Sequence, residues 1–229
     1  MQETPSIEVD DLCQRVTDST GTLDILSNVS FTVERREAVA ITGSSGSGKS
    51  TLLGLMAGLD IPTSGRVRLL GHDIFTLDEE ARAALRARYV GFVFQSFHLL
   101  PNLTALENVM LPLELVRKPA RPAAREMLER VGLAQRLHHY PRTLSGGEQQ
   151  RVSMARAFVQ QPAILFADEP TGSLDEQTGK VVVELMFELQ REQGSSLVLV
   201  THDPVLAGYC DRELRLSGGR LLGNEVPVG

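Results

Sequence analysis

Residues 37–59 read EAVAITGSSGSGKSTLLGLMAGL, a strand pattern, a glycine-rich turn and a helix pattern in direct succession. EAVAITG is a short apolar strand running into a glycine-rich turn. STLLGLMAGL is apolar nearly all round, the pattern of a buried helix. Between them, Gly43-Ser44-Ser45-Gly46-Ser47-Gly48-Lys49-Ser50 fits G-x-x-x-x-G-K-[ST], in the strand-before, helix-after setting that the pattern requires. Glycines let the backbone wrap closely around phosphate oxygens with several N–H groups pointing inward. The helix N-terminus adds partial positive charge, and Thr51 completes the set. Lys49 can reach the β- and γ-phosphates of a nucleoside triphosphate, and the Ser50 hydroxyl can ligate Mg²⁺.

Outward from this loop, strand and helix patterns alternate. Val29, Phe31 and Val33 alternate with polar residues, a strand with one wet face. GRVRLLGHDI reads as an edge strand, DEEARAALRAR as a solvated helix and YVGFVFQ as a buried strand. AILFADEP and SSLVLVTHD are further buried strands, with the amphipathic helix DEQTGKVVVELMFELQREQG between them, closed by a glycine. RELRLSGGRLLG reads as a hairpin turning at Ser217-Gly218-Gly219. This alternation predicts an α/β fold with a parallel sheet and helices on both faces. The middle differs: TALENVMLPLELV and AAREMLERVGL are helical, and the prolines of RKPARP break any helix between them. Residues 96–160 are therefore expected as a helical subdomain on a body made of 1–95 and 161–229.

Composition narrows the classes. The 229 residues suffice for one large α/β domain, and 29 acidic against 23 basic residues give a net charge of −6. That balance argues against a broad nucleic-acid face, and no nucleic-acid partner is expected. No apolar run approaches the roughly 18–20 residues of a membrane span. MQETPSIEVDD has no basic start and no apolar core, so no signal peptide is expected. Cys13 and Cys210 are too few for a disulfide framework and lack metal-ligand spacing.

Three further addresses share the carboxyl ends of predicted strands, where a parallel sheet lines its crevice. Asp168 ends ILFAD and can hold a Mg²⁺ shell, while Glu169 can reach a water in line with the γ-phosphate as general base. Gln95 follows VGFVF and can ligate the metal through its carbonyl oxygen or position a water. His202 follows LVLVT and can donate to the γ-phosphate. His72, His98, His138 and His139 have no such address and are expected in surface or packing roles.

A phosphate loop alone fits many NTPases; LSGGEQQR at 144–151 narrows the field. Ser145-Gly146-Gly147 begins a helix whose free N–H groups, with the Ser145 hydroxyl, form a second anion site. Here the sequence resembles the ATP-binding cassette (ABC) family, with all motifs in family order over nearly the whole chain. The resemblance implies a phosphate-loop NTPase fold with a mostly parallel core sheet, an N-terminal antiparallel β subdomain and an inserted α-helical subdomain. It implies ATP and Mg²⁺ as cofactors, with Ser50, Gln95 and Asp168 as metal ligands and Glu169 and His202 as catalytic residues. It implies that Ser145, Gly146, Gly147 and Glu148 act in trans, on ATP held by a second copy of the chain. Ser173-Leu174-Asp175 is similar to the family's D-loop, which crosses to that copy.

LRARYVGFVFQSFHLLPNLTALENVMLPL and LFADEPTGSLD resemble the LolD/MacB-type ATPases, YbbA-like members above all. That implies a bacterial subunit on the cytoplasmic face of the inner membrane, powering an FtsX/MacB-type permease for mechanotransmission or for extrusion of lipoproteins or amphiphiles. One position departs. Where the family stacks an aromatic ring on adenine stands Val16, and no aromatic precedes Phe31. Poor discrimination between ATP and GTP is expected. Phe97, Leu99, Leu100 and Leu103 can seat a permease helix or cover the subdomain's own core. The competing readings are weaker. Cassette ATPases of DNA repair carry a long coiled-coil insertion, but only about 90 residues separate the two motifs here, without heptads. A regulatory module that does not hydrolyse is disfavoured by the presence of both Glu169 and His202.

Overall fold

A computed structural model describes residues 4–18, 21–222 and 226–227. The chain forms two compact units, one of residues 1–86 with 196–229 and one of 87–195.

The first unit opens with β1 (Ile7–Asp18) and β2 (Gly21–Val33), followed by β3 (Ala38–Thr42), α1 (Lys49–Met56), β4 (Ser64–Leu69), β5 (His72–Asp73) and most of α2 (Glu79–Tyr89). An antiparallel sheet runs in the order β2-β1-β4-β5. Ile7 lies opposite Val33 and Leu69, and Val9 opposite Phe31 and Val67, so one face stacks buried apolar pairs. GRVRLLGHDI, expected as one edge strand, is instead two: β4 is interior and β5 forms the edge, with the chain turning between them at Leu70 and Gly71, φ 52° and 82°. Arg66 and Arg68 alternating with Val67 and Leu69 mark only a wet face, and in an antiparallel sheet that alternation is the same inside as at the edge. The helix read as solvated, α2, buries Arg82 and Leu85; the Arg82 guanidinium is neutralised by Glu79 at 2.6 Å.

The same unit holds β8 (Ser196–Val200), α7 (Pro204–Ala207), β9 (Arg212–Ser217), β10 (Arg220–Leu221) and β11 (Val226–Pro227). β3 pairs in parallel with β8 on one side and with β9 on the other. Ala38–Ile41 and Leu197–Val200 are all buried, the continuous apolar runs of a sheet covered on both faces. Gly218 and Gly219 both take positive φ, 53° and 76°, in the two-residue turn between β9 and β10.

The second unit contains β6 (Val90–Phe94), α3 (Ala105–Leu115), α4 (Arg121–Arg130), α5 (Gly146–Phe158), β7 (Ile164–Asp168) and α6 (Glu176–Gln193). α3 and α4 stop and start either side of RKPA, and Pro122 occupies the first turn of α4, where its missing N–H costs nothing. α5 packs on α3 and α4 and equally on β6 and α6. β6 and β7 pair in parallel, with Phe94 beside Asp168. β7 is buried as expected, but β6 only alternates between buried and half-buried.

Candidate functional site

In the first unit, the phosphate loop runs from the end of β3 to α1. Gly43, Gly46 and Gly48 take φ of 149°, 76° and 101°, conformations L side chains rarely adopt. α1 begins on Gly48 with no side-chain cap, so its first-turn donors face outward along the helix dipole. Around Gly46 a Cβ would meet nothing within 4 Å, whereas at Gly48 it would lie 2.9 Å from Leu26 Cδ2 and 3.0 Å from the Ile25 carbonyl. The loop is therefore open on the Gly46 side and backed by β2 at Gly48. Lys49 Nζ donates to the carbonyls of Gly43 at 2.8 Å and Ser44 at 3.0 Å, which aims the ammonium over the loop. Ser47 Oγ is buried without a hydrogen-bond partner among the described residues. Ser45, Ser50 and Thr51 carry the rest of the loop into the helix. A loop open at Gly46, with an uncapped helix start, an orphaned hydroxyl and an aimed ammonium, fits a polyphosphate.

His202 belongs to the same unit. Thr201 N–H donates to the Ile41 carbonyl at 3.2 Å, so His202 stands exposed two residues beyond β8, the strand beside the one that enters the loop. Asp203 caps α7 through Val205 N–H at 2.7 Å, which fixes the turn around the histidine. Val16 is 46% exposed and lies opposite Leu23, itself 67% exposed, so the position expected against adenine offers an aliphatic pair.

In the second unit the structure brings together Gln95, Asp168, Glu169 and the D-loop. Gln95 and Glu169 are one rung beyond the paired Phe94 and Asp168. Glu169 takes φ +46°, which turns its side chain out of the strand's alternation. Ser173 Oγ donates to the Gln95 carbonyl at 3.1 Å, and a Cβ on Gly172 would come within 2.8 Å of Gln95 Nε2. Asp175 also acts within its own turn, capping α6 through Thr178 N–H at 3.0 Å, and the Thr178 hydrogen bonds hold its carboxyl below the usual range. Among the described residues no three His, Cys, Asp or Glu side chains form a protein-only metal cage. Within this unit an amide oxygen, Gln95, and a single carboxylate, Asp168, are donor types that suit Mg²⁺, which keeps waters and phosphate oxygens in its shell.

Ser145 is the N-cap of α5, and the whole capping box is formed: Glu148 N–H donates to Ser145 Oγ at 3.3 Å, and Ser145 N–H to Glu148 Oε2 at 2.8 Å. The Arg136 guanidinium first, then the Ser145 N–H, pull the Glu148 carboxyl down to about 2. A Cβ on Gly147 would lie 2.4 Å from Thr178 Cγ2, and one on Gly146 3.3 Å from Leu174. Both glycines therefore let the start of α5 press against the D-loop and α6.

Known proteins match this arrangement. A family model described as ABC transporter matches residues 26–172, spanning both the phosphate loop and LSGGE. The chain belongs to the ABC transporter family. The cassette is 54% identical over 218 residues to the ABC transporter ATP-binding protein YbbA of Escherichia coli K12, covering 94% of this chain and 96% of that one. It is 48% identical over 220 residues to the lipoprotein-releasing system ATP-binding protein LolD of Bordetella pertussis, covering 95% of each. Among solved structures, the dimeric bacterial ABC transporter cassette MJ0796 is similar at TM-score 0.90 and 38% identity, over 97% of this chain and 99% of that one. A dimeric post-hydrolysis state of MJ0796 bound to ADP and Pi is similar at TM-score 0.89 and 37% identity, with the same coverage.

Three residues of the cassette's site escape sequence reasoning. Arg136 reaches Glu148 across 12 positions, with no pattern joining them. Gln150, fully buried, donates to the Pro170 carbonyl at 2.5 Å and ties α5 to the turn after Glu169. Arg156 donates to the carbonyls of Phe97 at 2.9 Å and His98 at 2.6 Å, and burial pulls its pKa down. Phe97 and His98 take φ of 58° and 47°, so a half-buried cation holds a loop that local preference disfavours. A polar residue on the apolar face of a predicted helix is the one signal that could have flagged Gln150.

Proposed function

We propose that two copies of the cassette close head to tail on two ATP molecules and hydrolyse them to drive an FtsX/MacB-type permease. The observation that carries this reading is that one chain holds two phosphate-ready helix starts, α1 and α5, each built on glycines and each with its own loop. In this reading Lys49 and the α1 N–H groups bind the β- and γ-phosphates in one chain, and Ser145 and Gly147 of the other close over the γ-phosphate. Glu169 accepts the proton of the attacking water, and His202 donates to the γ-phosphate. Ser50, Gln95 and Asp168 would hold Mg²⁺, which would supply positive charge to neutralise the triphosphate. In this reading the cassette works at the cytoplasmic face of a bacterial inner membrane. No helix among the described residues is long and apolar enough to cross a membrane; in this reading the cassette is attached through the permease.

The helical subdomain, residues 96–160, carries the signature in this reading. The permease seats beside it, on the groove of about 320 Å³ lined by Phe92, Phe94, His98, Pro112 and Arg156. Leu100, 48% exposed, offers a further apolar contact in this reading; Phe97, Leu99 and Leu103 are half-buried and partly serve the subdomain core. Asn108, fully buried, holds that loop through the Leu100, Leu103 and Thr104 carbonyls.

Trans-complementation tests the dimer. Lys49→Ala and Ser145→Ala chains are each expected to be inactive alone. Mixed at equal amounts, they regain about a quarter of wild-type sites, because a mixed dimer has one site with both residues intact. Silence of the mixture in single-turnover hydrolysis places both residues in one chain's site and defeats the proposal.

The Val16–Leu23 pair offers no ring and no hydrogen bond to the base. ATP and GTP are expected to compete within about threefold of each other, since aliphatic contact does not read base edges. Val16→Tyr should raise affinity for both by roughly fivefold, the value of about 1 kcal/mol of stacking. A strong ATP preference that persists in variants at Val16 contradicts this assignment.

A further inference from the structure

Arg136 has no part in the motifs, yet it is built into the start of α5. Its Nε donates to Glu148 Oε1 at 2.8 Å, while Glu148 Oε2 accepts the Ser145 N–H at 2.8 Å. Each oxygen of the carboxylate thus has one charged or polar partner, in a group whose side chain is only 18% exposed. Arg136 itself sits on a turn pinned to the start of α3, where Leu106 N–H donates to the Leu137 carbonyl at 3.0 Å and Ala105 N–H to the His139 carbonyl at 2.8 Å.

The same unit contains a control. α3 begins with an equivalent box, Thr104 and Glu107, formed on both sides. Glu107 makes no ion pair among the described residues, so a capping box does not need an arginine in order to form. The difference lies in what the two helix starts do. The α5 start faces an anion in the proposed dimer, and Glu148 puts a full negative charge within its first turn. Unneutralised, that charge opposes the field that draws phosphate to a helix N-terminus.

We infer that Arg136 is a positioning residue for the signature: it neutralises Glu148 and locks its carboxylate, so that Ser145 and the first N–H groups of α5 present a net attractive face to the partner-bound ATP. This rests on the trans reading proposed above. In this inference Arg136 acts through Glu148, with which it is ion-paired at 2.8 Å. Because the carboxyl stays ionised down to about 2, the need for the arginine persists across the physiological range.

The test uses the full chain carrying Glu169→Gln, in which ATP is expected to hold the dimer, with light scattering followed against ATP concentration. Adding Arg136→Ala should raise the ATP midpoint of dimerisation by roughly 10-fold. Adding Glu148→Gln to that variant should bring the midpoint back to within about twofold of the parent, because a glutamine still closes a capping box without the charge. Arg136→Lys should stay within about threefold of the parent, keeping the charge. An unshifted midpoint in R136A overturns the inference. So does a shift that E148Q does not reverse, or a lysine variant as weak as the alanine one, since either makes the arginine a packing residue only. If R136A does not fold, R136Q with and without E148Q answers the same question. A parent that fails to dimerise with ATP defeats the trans reading instead, which separates the two claims.

Discussion

Replacing Glu169 by glutamine is expected to cut ATP turnover by roughly 10²–10⁴-fold, the usual worth of a positioned general base. ATP binding should survive, and the ATP-bound dimer should accumulate. The geometry supports this separation. Glu169 directly follows Asp168 at the end of β7, and its φ of +46° takes it out of the strand's alternation. The turn that holds it there is anchored elsewhere: Gly172 N–H donates to the Glu169 carbonyl at 3.0 Å, and Gln150 to the Pro170 carbonyl. Glutamine keeps the size and leaves these backbone contacts untouched, so only basicity is lost. Phosphate release and light scattering on the same sample measure both effects. Turnover within a factor of two of wild type would remove Glu169 from the mechanism.

Gly43→Ala is the second large effect, and it acts through the fold of the loop. A Cβ there would stand 2.1 Å from the Leu216 carbonyl oxygen and 2.8 Å from Ser47 Oγ, at φ +149°. The obstructing carbonyl is backbone of β9, and β9 is paired to β3 through Thr42 and Arg215, one residue before the loop. The methyl cannot be accommodated without moving a strand or the loop itself. Destabilisation on the order of 2–4 kcal/mol is expected, from overpacking plus backbone strain. Nucleotide affinity should fall by more than about 100-fold, since several loop N–H groups lose their common focus. Gly46→Ala is the companion measurement. Its φ of +76° costs about 1 kcal/mol, but a Cβ there meets nothing within 4 Å, so the fold should hold. Thermal unfolding and fluorescent-nucleotide binding distinguish the two; equal behaviour would mean that the approach of β9 does not shape the loop.

The elements that the sequence makes legible are those whose signals are local. The strand, glycine turn and helix of residues 38–56 are adjacent in the chain, and the pattern that names them contains all its own residues. The same holds for α6, with its Asp175 cap and its Gly194 stop at φ 66°, and for the Gly218-Gly219 hairpin. Ser145 before Gly146-Gly147 marks the start of α5 in the same local way. Reading fails where a pattern describes exposure without neighbours. GRVRLL shows one wet face, but nothing in it says that β5 lies beyond it. YVGFVFQ shows apolar content, but not how much of β6 its surroundings cover.

By itself, then, the chain determined its phosphate loop, its signature helix and the order of its strands and helices, because hydrophobic period, glycine freedom and caps act over a few residues. Only the tertiary structure decided the left-handed turns at Phe97, His98 and Glu169, and the pairings of Arg136 with Glu148, Gln150 with Pro170 and Ser173 with Gln95. Left-handed backbone at non-glycine residues costs energy locally and persists only where distant contacts over-determine it. Side chains 12, 20 and 78 positions from their partners acquire a meaning only when folding brings those partners within hydrogen-bond reach.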